Sequence, residues 1–178
     1  VEWVKLYAGD GTVAISAEPV FERAFDENNK NDWRSSSLRR ELNGAFLDAL
    51  VAEGADRAAF LDWESDLTAD DGLRDYGNCL DKVTMLTADE YRQTRDLHPA
   101  PEHWRWLITP DGTPKSSGTS FVRCVNSDGS LNNNNAYNGN RGVRPASVEY
   151  RDRVTRKGES RSPPSKEDVS GPGLTGQG

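Results

Sequence analysis

The sequence predicts a domain that mixes helices with short strands. One stretch, residues 35–54, carries an apolar stripe at helical spacing, and a second, beginning at Thr87, opens with a capping box. Around them lie short apolar and aromatic runs bounded by Gly, Pro, Asn and Asp, the pattern of strands and turns.

Near the start, residues 3–7 and 12–15 flank Gly9-Asp10-Gly11, which suits a β-hairpin. Residues 26–32 are polar and read as loop. The clearest helix comes next. Ser35, Ser36 and Ser37 offer N-caps, and Leu38, Leu42, Ala45, Phe46, Ala49 and Leu50 fall on one face, with Trp33 packed near its start. Gly54 is the expected stop. Phe60-Leu61-Asp62-Trp63 suits either a strand end or a helical turn, and residues 68–77 form an acidic loop. Residues 81–86 read as a strand running into Thr87-Ala88-Asp89-Glu90. There the Thr87 and Glu90 side chains satisfy each other's free backbone donors, and a short helix should follow to about Arg95. Pro99 and Pro101 bound a loop, residues 103–109 are aromatic and strand-like, and Pro110-Asp111-Gly112 turns the chain.

The most unusual stretch runs from Phe121 to Tyr150. A β-like pentad, Phe121-Val122-Arg123-Cys124-Val125, meets the turn residues Asn126-Ser127-Asp128-Gly129. Four asparagines follow, Asn132, Asn133, Asn134 and Asn135, then Ala136-Tyr137-Asn138-Gly139-Asn140. Of the chain's 12 Asn, 7 lie between positions 126 and 140, so the bias is local. Gly142-Val143-Arg144-Pro145-Ala146 and a second β-like run, residues 147–150, close the stretch. Such a segment has hydrogen-bonding groups in plenty and little to bury. It reads as a displayed surface held between two core strands.

The 178 residues suit one domain, assigned to residues 1–150, followed by a flexible tail or linker at 151–178. Between positions 158 and 178, 12 of 21 residues are Gly, Ser or Pro. Hydrophobic content of 34% and a mean hydropathy of −0.80 fit much loop, while five Trp and five Phe argue for a folded core. A net charge of −7 speaks against a nucleic-acid surface, and no window approaches a membrane span. The chain begins at Val1 rather than Met, which leaves a processed product or a piece of a longer protein open. Cys79 and Cys124 could close a disulfide, but two buried unpaired thiols is the favoured reading.

Catalytic patterns are missing from the sequence. There is no Gly-x-Ser-x-Gly elbow, neither His98 nor His103 has a nucleophile beside it, and no phosphate-cradling glycine loop occurs. Asp62, Glu64, Asp66, Asp70, Asp71 and Asp75 crowd one region without the ligand order of a calcium loop, so an acidic solvated loop is expected and no metal or cofactor. The asparagine run remains. It is either a solvated loop or a recognition surface. Asn carries donors and an acceptor on a short stem and Tyr137 offers an amphipathic ring, both suited to adaptable binding. Arg144, between Val143 and Pro145, is read as a structural ion-pair or carbonyl-bonding residue.

The order of several motifs resembles a known family. These are Trp33, Ser37-Leu38-Arg39, Leu42-Asn43 and Phe46; Asp81-Lys82-Val83; Leu86-Thr87-x-x-Glu90-Tyr91; Trp104-Arg105-Trp106-Leu107; Val125-Asn126-Ser127-Asp128-Gly129-Ser130; and Gly142-Val143-Arg144-Pro145-Ala146. The pattern, over about residues 30–150, resembles a domain family of unknown function in bacterial and phage proteins. That family is similar in turn to C-type-lectin-like folds, which include the formylglycine-generating enzyme and the variable proteins of diversity-generating retroelements. The resemblance implies an α+β domain, C-type-lectin-like, with two helices, a twisted antiparallel sheet and much irregular loop. In retroelement variable proteins a solvent-facing region near the end of the fold binds ligands and is diversified at adenines. Asn codons are adenine-rich, so Asn132 to Asn135, Asn138 and Asn140 resemble such a region. Cys79 and Cys124 stand far apart and lack the cysteine arrangement of the oxidase relatives, so enzyme activity is not carried over.

The sequence therefore predicts a non-enzymatic binding module without cofactor. Asn132, Asn133, Asn134, Asn135, Tyr137, Asn138 and Asn140 would contact a protein or glycan on a cell surface, with Arg144 and Pro145 structural. The expected location is a virion or bacterial cell surface, with oligomerisation possible inside a larger assembly. The alternative is a structural domain of a phage tail, fibre or surface assembly.

Overall fold

The structure, a computed structural model, describes residues 1–8, 11–98 and 101–149. It is an α+β fold built on three sheets and two helical bodies. The first sheet has strand order β1-β2-β11-β4, using β1 (Trp3–Ala8), β2 (Gly11–Ser16), β4 (Phe60–Leu61) and β11 (Ala146–Glu149). The second has order β3-β10-β7-β8-β9, from β3 (Phe21–Glu22), β7 (Arg105–Pro110), β8 (Phe121–Val125), β9 (Leu131–Asn135) and β10 (Gly142–Val143). A two-stranded ribbon pairs β5 (Trp63–Asp66) with β6 (Asn78–Asp81). Instead of one antiparallel sheet there are three, and β10 runs parallel to β7, pairing Gly142 with Arg105.

The N-terminal hairpin forms as expected, from Trp3↔Ser16 to Ala8↔Gly11, although its predicted Gly9-Asp10 turn lies outside the described residues. So do Pro99, Tyr150 and the predicted tail at 151–178.

The main helix is interrupted. Ser36 caps α1 (Ser37–Glu41) by accepting from the Arg39 amide, and Asp26 accepts from the Ser37 amide at 3.0 Å. A π-helical turn, Leu42–Phe46, then adds one residue before α2 (Leu47–Ala52), and Gly44 departs from helical geometry at φ −109°, ψ −105°. The insertion moves the apolar stripe. Leu38, Leu42, Leu47 and Leu50 are buried, whereas Phe46 is only half-buried against Phe21 and Ala45 and Ala49 are exposed. The expectation of a buried Phe46 on an unbroken helix is thereby corrected: the wide turn delivers Leu47 to the core in its place. Asn43, inside that turn, accepts from the Lys82 and Val83 amides and donates to the Val83 carbonyl. Gly54, at φ +106°, ends the helix with bonds from Gly54 N to Val51 O and from Ala55 N to Leu50 O.

Residues 81–86 are not a continuous strand. β6 stops at Asp81, and Thr84 makes one isolated bridge to Ala146. The segment's amides are claimed by Asn43 and by Ala146, which bends it through the core between two sheets. The Thr87–Glu90 capping box is present and starts α3 (Ala88–Thr94).

Two groups of side chains form the interior. Trp33, Trp106, Phe25, Leu38, Leu42, Leu47 and Val122 belong to the larger, and Leu6, Ile15, Leu86, Tyr91, Leu107 and Val125 to the smaller. Cys79 and Cys124 are both buried and unpaired, and burial pushes each thiol up to about 11. Two stretches read as polar loop carry structural work. Asp26 and Asn31 are buried, and the Asn31 amide group donates to the carbonyls of Gly112, Gly118 and Phe121 while its oxygen accepts from the Tyr76 hydroxyl. The acidic loop is tied down rather than free. Asp70 pairs with Arg92 at 2.7 Å and Asp75 with Lys115 at 2.5 Å.

Candidate functional site

Asparagine is a poor strand former, yet Asn132 to Asn135 make up most of β9 because tertiary pairing overrides propensity. The run is not a solvated loop. β9 pairs residue for residue with β8, from Phe121↔Asn135 to Val125↔Leu131, across the turn at Asn126 to Gly129, where Gly129 takes φ +79°.

β9 is the outer strand of its sheet. The bonds Asn126 N to Ser130 O and Ala136 N to Ser120 O fix the alternation, so the amides of Asn132 and Asn134 face β8. Those of Asn133 and Asn135 turn away from it. Each is met by the side chain before it, since Asn132 Oδ1 accepts from Asn133 N at 2.8 Å and Asn134 Oδ1 from Asn135 N at 2.9 Å. Two asparagines thus cover the outward donors of Asn133 and Asn135 on the edge. Each side chain makes one further bond. Asn132 Nδ2 donates to Asn126 Oδ1 at 3.3 Å, and Asn138 Nδ2 donates to Asn134 Oδ1.

The two faces of β9 differ. Asn132 and Asn134 lie opposite Cys124 and Val122, on the side of the buried core. Asn133 and Asn135 lie opposite Arg123 and Phe121. Asn133 Nδ2 donates to Asp111 Oδ1 at 2.8 Å, and Arg123 is held between Asp111 at 3.1 Å and Asp70 at 3.5 Å. All four strand asparagines are half-buried. Beyond the strand the chain emerges. Tyr137 is 55% exposed and Phe121, at the same end of the sheet, 40%.

Asn138 is half-buried, and Asn140 is exposed on the wall of an open cleft of about 490 Å³. Trp104 supplies an aromatic wall, and the Arg141 guanidinium stands 4.4 Å from its ring centre. Asn140 Oδ1 accepts from Arg141 NH1 at 2.6 Å. Glu22, Glu102, His103 and Ser127 complete the lining. The cleft therefore offers carboxylates, a guanidinium, an amide, an imidazole and a ring face within one concavity. Of the predicted residues only Asn140 lies there. The others gather along β9 and at its far end, so the predicted set spans two neighbouring regions. Nothing in sequence spacing links positions 22, 104, 127 and 141; the adjacency of Asn140 and Arg141 was the one local signal.

Arg144 and Pro145 sit elsewhere, between the two larger sheets. Arg144 is 4% exposed, and its Nε donates to Ser16 O at 2.8 Å. The Pro145 carbonyl accepts from Ser16 N at 2.9 Å. Arg144 NH1 lies 3.2 Å from His98 Nδ1, and Thr94 Oγ1 lies 2.8 Å from His98 Nε2. A guanidinium only donates, so Nδ1 accepts and Nε2 carries the proton toward Thr94. Burial first, then the Arg144 and Arg105 charges, push His98 down to about 4. Among the described residues no three His, Cys, Asp or Glu gather as a metal would require, and no described helix is long and apolar enough to cross a membrane.

The matched sequence family covers the ribbon loop, α3 and most of the second sheet. Residues 68–148 match a domain of unknown function, DUF6273. No curated protein and no solved structure matches the chain. The DUF6273 match includes β9 and most of the cleft but begins after Glu22, Trp33 and the main helix.

Proposed function

We propose that this chain is a non-enzymatic binding module for a protein or glycan ligand on a cell surface, working at a bacterial or virion surface. The recognition surface is the outer face of Asn133 and Asn135, the exposed Tyr137 and, past Asn138, the cleft that Asn140 lines. The ordered motifs that resemble C-type-lectin-like domains support an architecture of that type. The observation that carries the reading is the cleft, where Asn140 and Arg141 meet Trp104 in an open concavity with both donors and acceptors.

Asn132 and Asn134 take supporting roles in this reading, because their side chains are engaged with the backbone and with other asparagines. The same bonds disfavour the alternative of a subunit contact made by strand addition in a phage tail or fibre. An added strand would need the amides of Asn133 and Asn135, and those are already occupied.

Arrays of glycans and of immobilised bacterial surface proteins test the proposal. The unaltered protein should bind a defined subset, and Tyr137→Ala combined with Asn140→Ala should abolish that binding with an unchanged melting temperature. Surface changes of this kind usually alter stability by less than about 0.5 kcal/mol. Binding retained by the variant, or no binding by either protein, would reject the reading.

A further inference from the structure

Asparagine followed directly by glycine occurs twice in the chain, at Asn43-Gly44 and Asn138-Gly139. The pair is chemically labile. Glycine has no side chain to shield its own amide nitrogen, and it lets the backbone fold back on the asparagine side chain. The two copies sit in opposite surroundings.

Asn43 is locked. Its Oδ1 accepts from the Lys82 and Val83 amides at 3.0 and 3.1 Å, and its Nδ2 donates to the carbonyls of Arg39 and Val83 at 3.2 and 2.8 Å. It also keeps helical backbone inside the π-helical turn, which carries the next amide along the helix axis rather than beneath the side chain. Asn138 has neither restraint. It follows β9 between the exposed Tyr137 and Gly139, and its side chain makes one described bond, from Nδ2 to Asn134 Oδ1. No described residue accepts from the Gly139 amide. The space around that glycine is open, since a Cβ placed on it would come no nearer than 4.0 Å, to the Ala24 nitrogen.

We propose that Asn138 is a site of spontaneous deamidation, and that its conversion unguards the outer edge of β9. The Gly139 nitrogen bonds to Asn138 Cγ and gives up its proton; Nδ2 takes that proton and leaves as ammonia, closing a succinimide ring. Water then opens the ring at either carbonyl, yielding aspartate or isoaspartate. Water is the only co-reactant, and nothing is oxidised or reduced. In the aspartate product an acceptor-only carboxylate stands where the Nδ2 donor stood, facing Asn134 Oδ1. That same Oδ1 accepts from the Asn135 amide at 2.9 Å. Repulsion between the two acceptors displaces the Asn134 side chain and bares the Asn135 amide on an outer strand. In the isoaspartate product the backbone runs through the former side chain, and the donor is equally lost.

Storage of the full chain in warm, mildly alkaline buffer tests the proposal, read by peptide mapping in a mass spectrometer and by isoaspartyl methyltransferase labelling. The peptide holding Asn138 should convert with time while the peptide holding Asn43 stays intact. In guanidinium, where the fold is gone, both should convert. The acidic fraction, separated by ion exchange, should show more concentration-dependent association in light scattering than the unconverted fraction. Gly139→Ala, which the open surroundings accommodate, should lose most of the conversion and the association that follows it. Asn43 converting as fast as Asn138 in the folded protein, Asn138 staying intact there, or undiminished conversion in Gly139→Ala would overturn the site. An acidic fraction that scatters like the unconverted one would overturn its effect on the edge.

Discussion

The Trp33 indole donates to Asp81 Oδ2 at 2.8 Å, deep in the interior, while Arg39 Nε takes Asp81 Oδ1 at 2.7 Å. One carboxylate thus joins the start of the main helix to the end of β6. Asp81→Ala strands the buried indole N–H and frees the Arg39 charge. Leaving a buried donor unsatisfied costs about 1–3 kcal/mol, so the unfolding free energy from urea titration should fall by at least about 1 kcal/mol. Asp81→Asn keeps an acceptor for one of the two partners and should cost less. Equal losses for the two variants would show that the charge, not the Trp33 bond, dominates.

The π-helical turn reverses the order expected for two neighbouring truncations. Leu47→Ala removes a fully buried side chain and should cost about 2–5 kcal/mol. Phe46→Ala, at a half-buried position against Phe21, should cost less despite the larger side chain. Paired chemical denaturation curves decide this. A greater loss for Phe46→Ala would mean that the helix runs through without the inserted residue.

Asn132 and Asn134 guard the free side of β9. Replacing both with Ala exposes the amides of Asn133 and Asn135 on an outer strand, a template for pairing with a second chain. Static light scattering should show concentration-dependent association for the double variant. Asn133 and Asn135 replaced together should remain at the state of the unaltered protein. Identical scattering from both pairs would remove the edge-guarding role.

His98 makes folding stability depend on pH in one direction. The unfolded chain takes up this proton as pH falls through 6.5, whereas the folded protein takes it only near 4, because burial and the Arg144 and Arg105 charges resist it. The stability that neutral His98 confers is complete above 6.5 and is lost progressively between 6.5 and about 4. Glu90 acts in the opposite sense, since burial raises its carboxyl in the folded state. Comparison with His98→Gln isolates the histidine. Urea midpoints of the unaltered protein should fall more steeply over that interval, and nuclear magnetic resonance should place the imidazole midpoint near 4. Parallel pH profiles would refute the contribution.

Elements specified by nearby residues were legible in the sequence. The Thr87–Glu90 box, the Gly54 stop and the strand from Phe121 with its Asn126–Gly129 turn depend on bonds within a few positions, which local pattern records. The π-helical turn was not legible, because Asn43 is satisfied by Lys82 and Val83, some forty positions away (separations of 39 and 40). Asn31 looked like loop chemistry for the same reason: its partners lie between positions 76 and 121. The asparagine segment was visible as a local bias, but its strand character came from pairing with β8, and the cleft beyond it joins residues from four separate parts of the chain.

The position of β11 between β2 and β4 has a consequence for synthesis on the ribosome. Ala146 and Ser147 pair with β2, while Val148 and Glu149 pair with β4. Arg144 meanwhile reaches back 128 positions to Ser16. The first sheet therefore closes only when residues 146–149 have been made and return to β2 and β4, far earlier in the chain. Until then β2 presents an unpaired edge and the apolar surface of Ile15 lacks its cover, an exposed state that nascent chains of high contact order share. A fragment limited to residues 68–148 would meet the same difficulty from the other direction, carrying the closing strand without either of its neighbours.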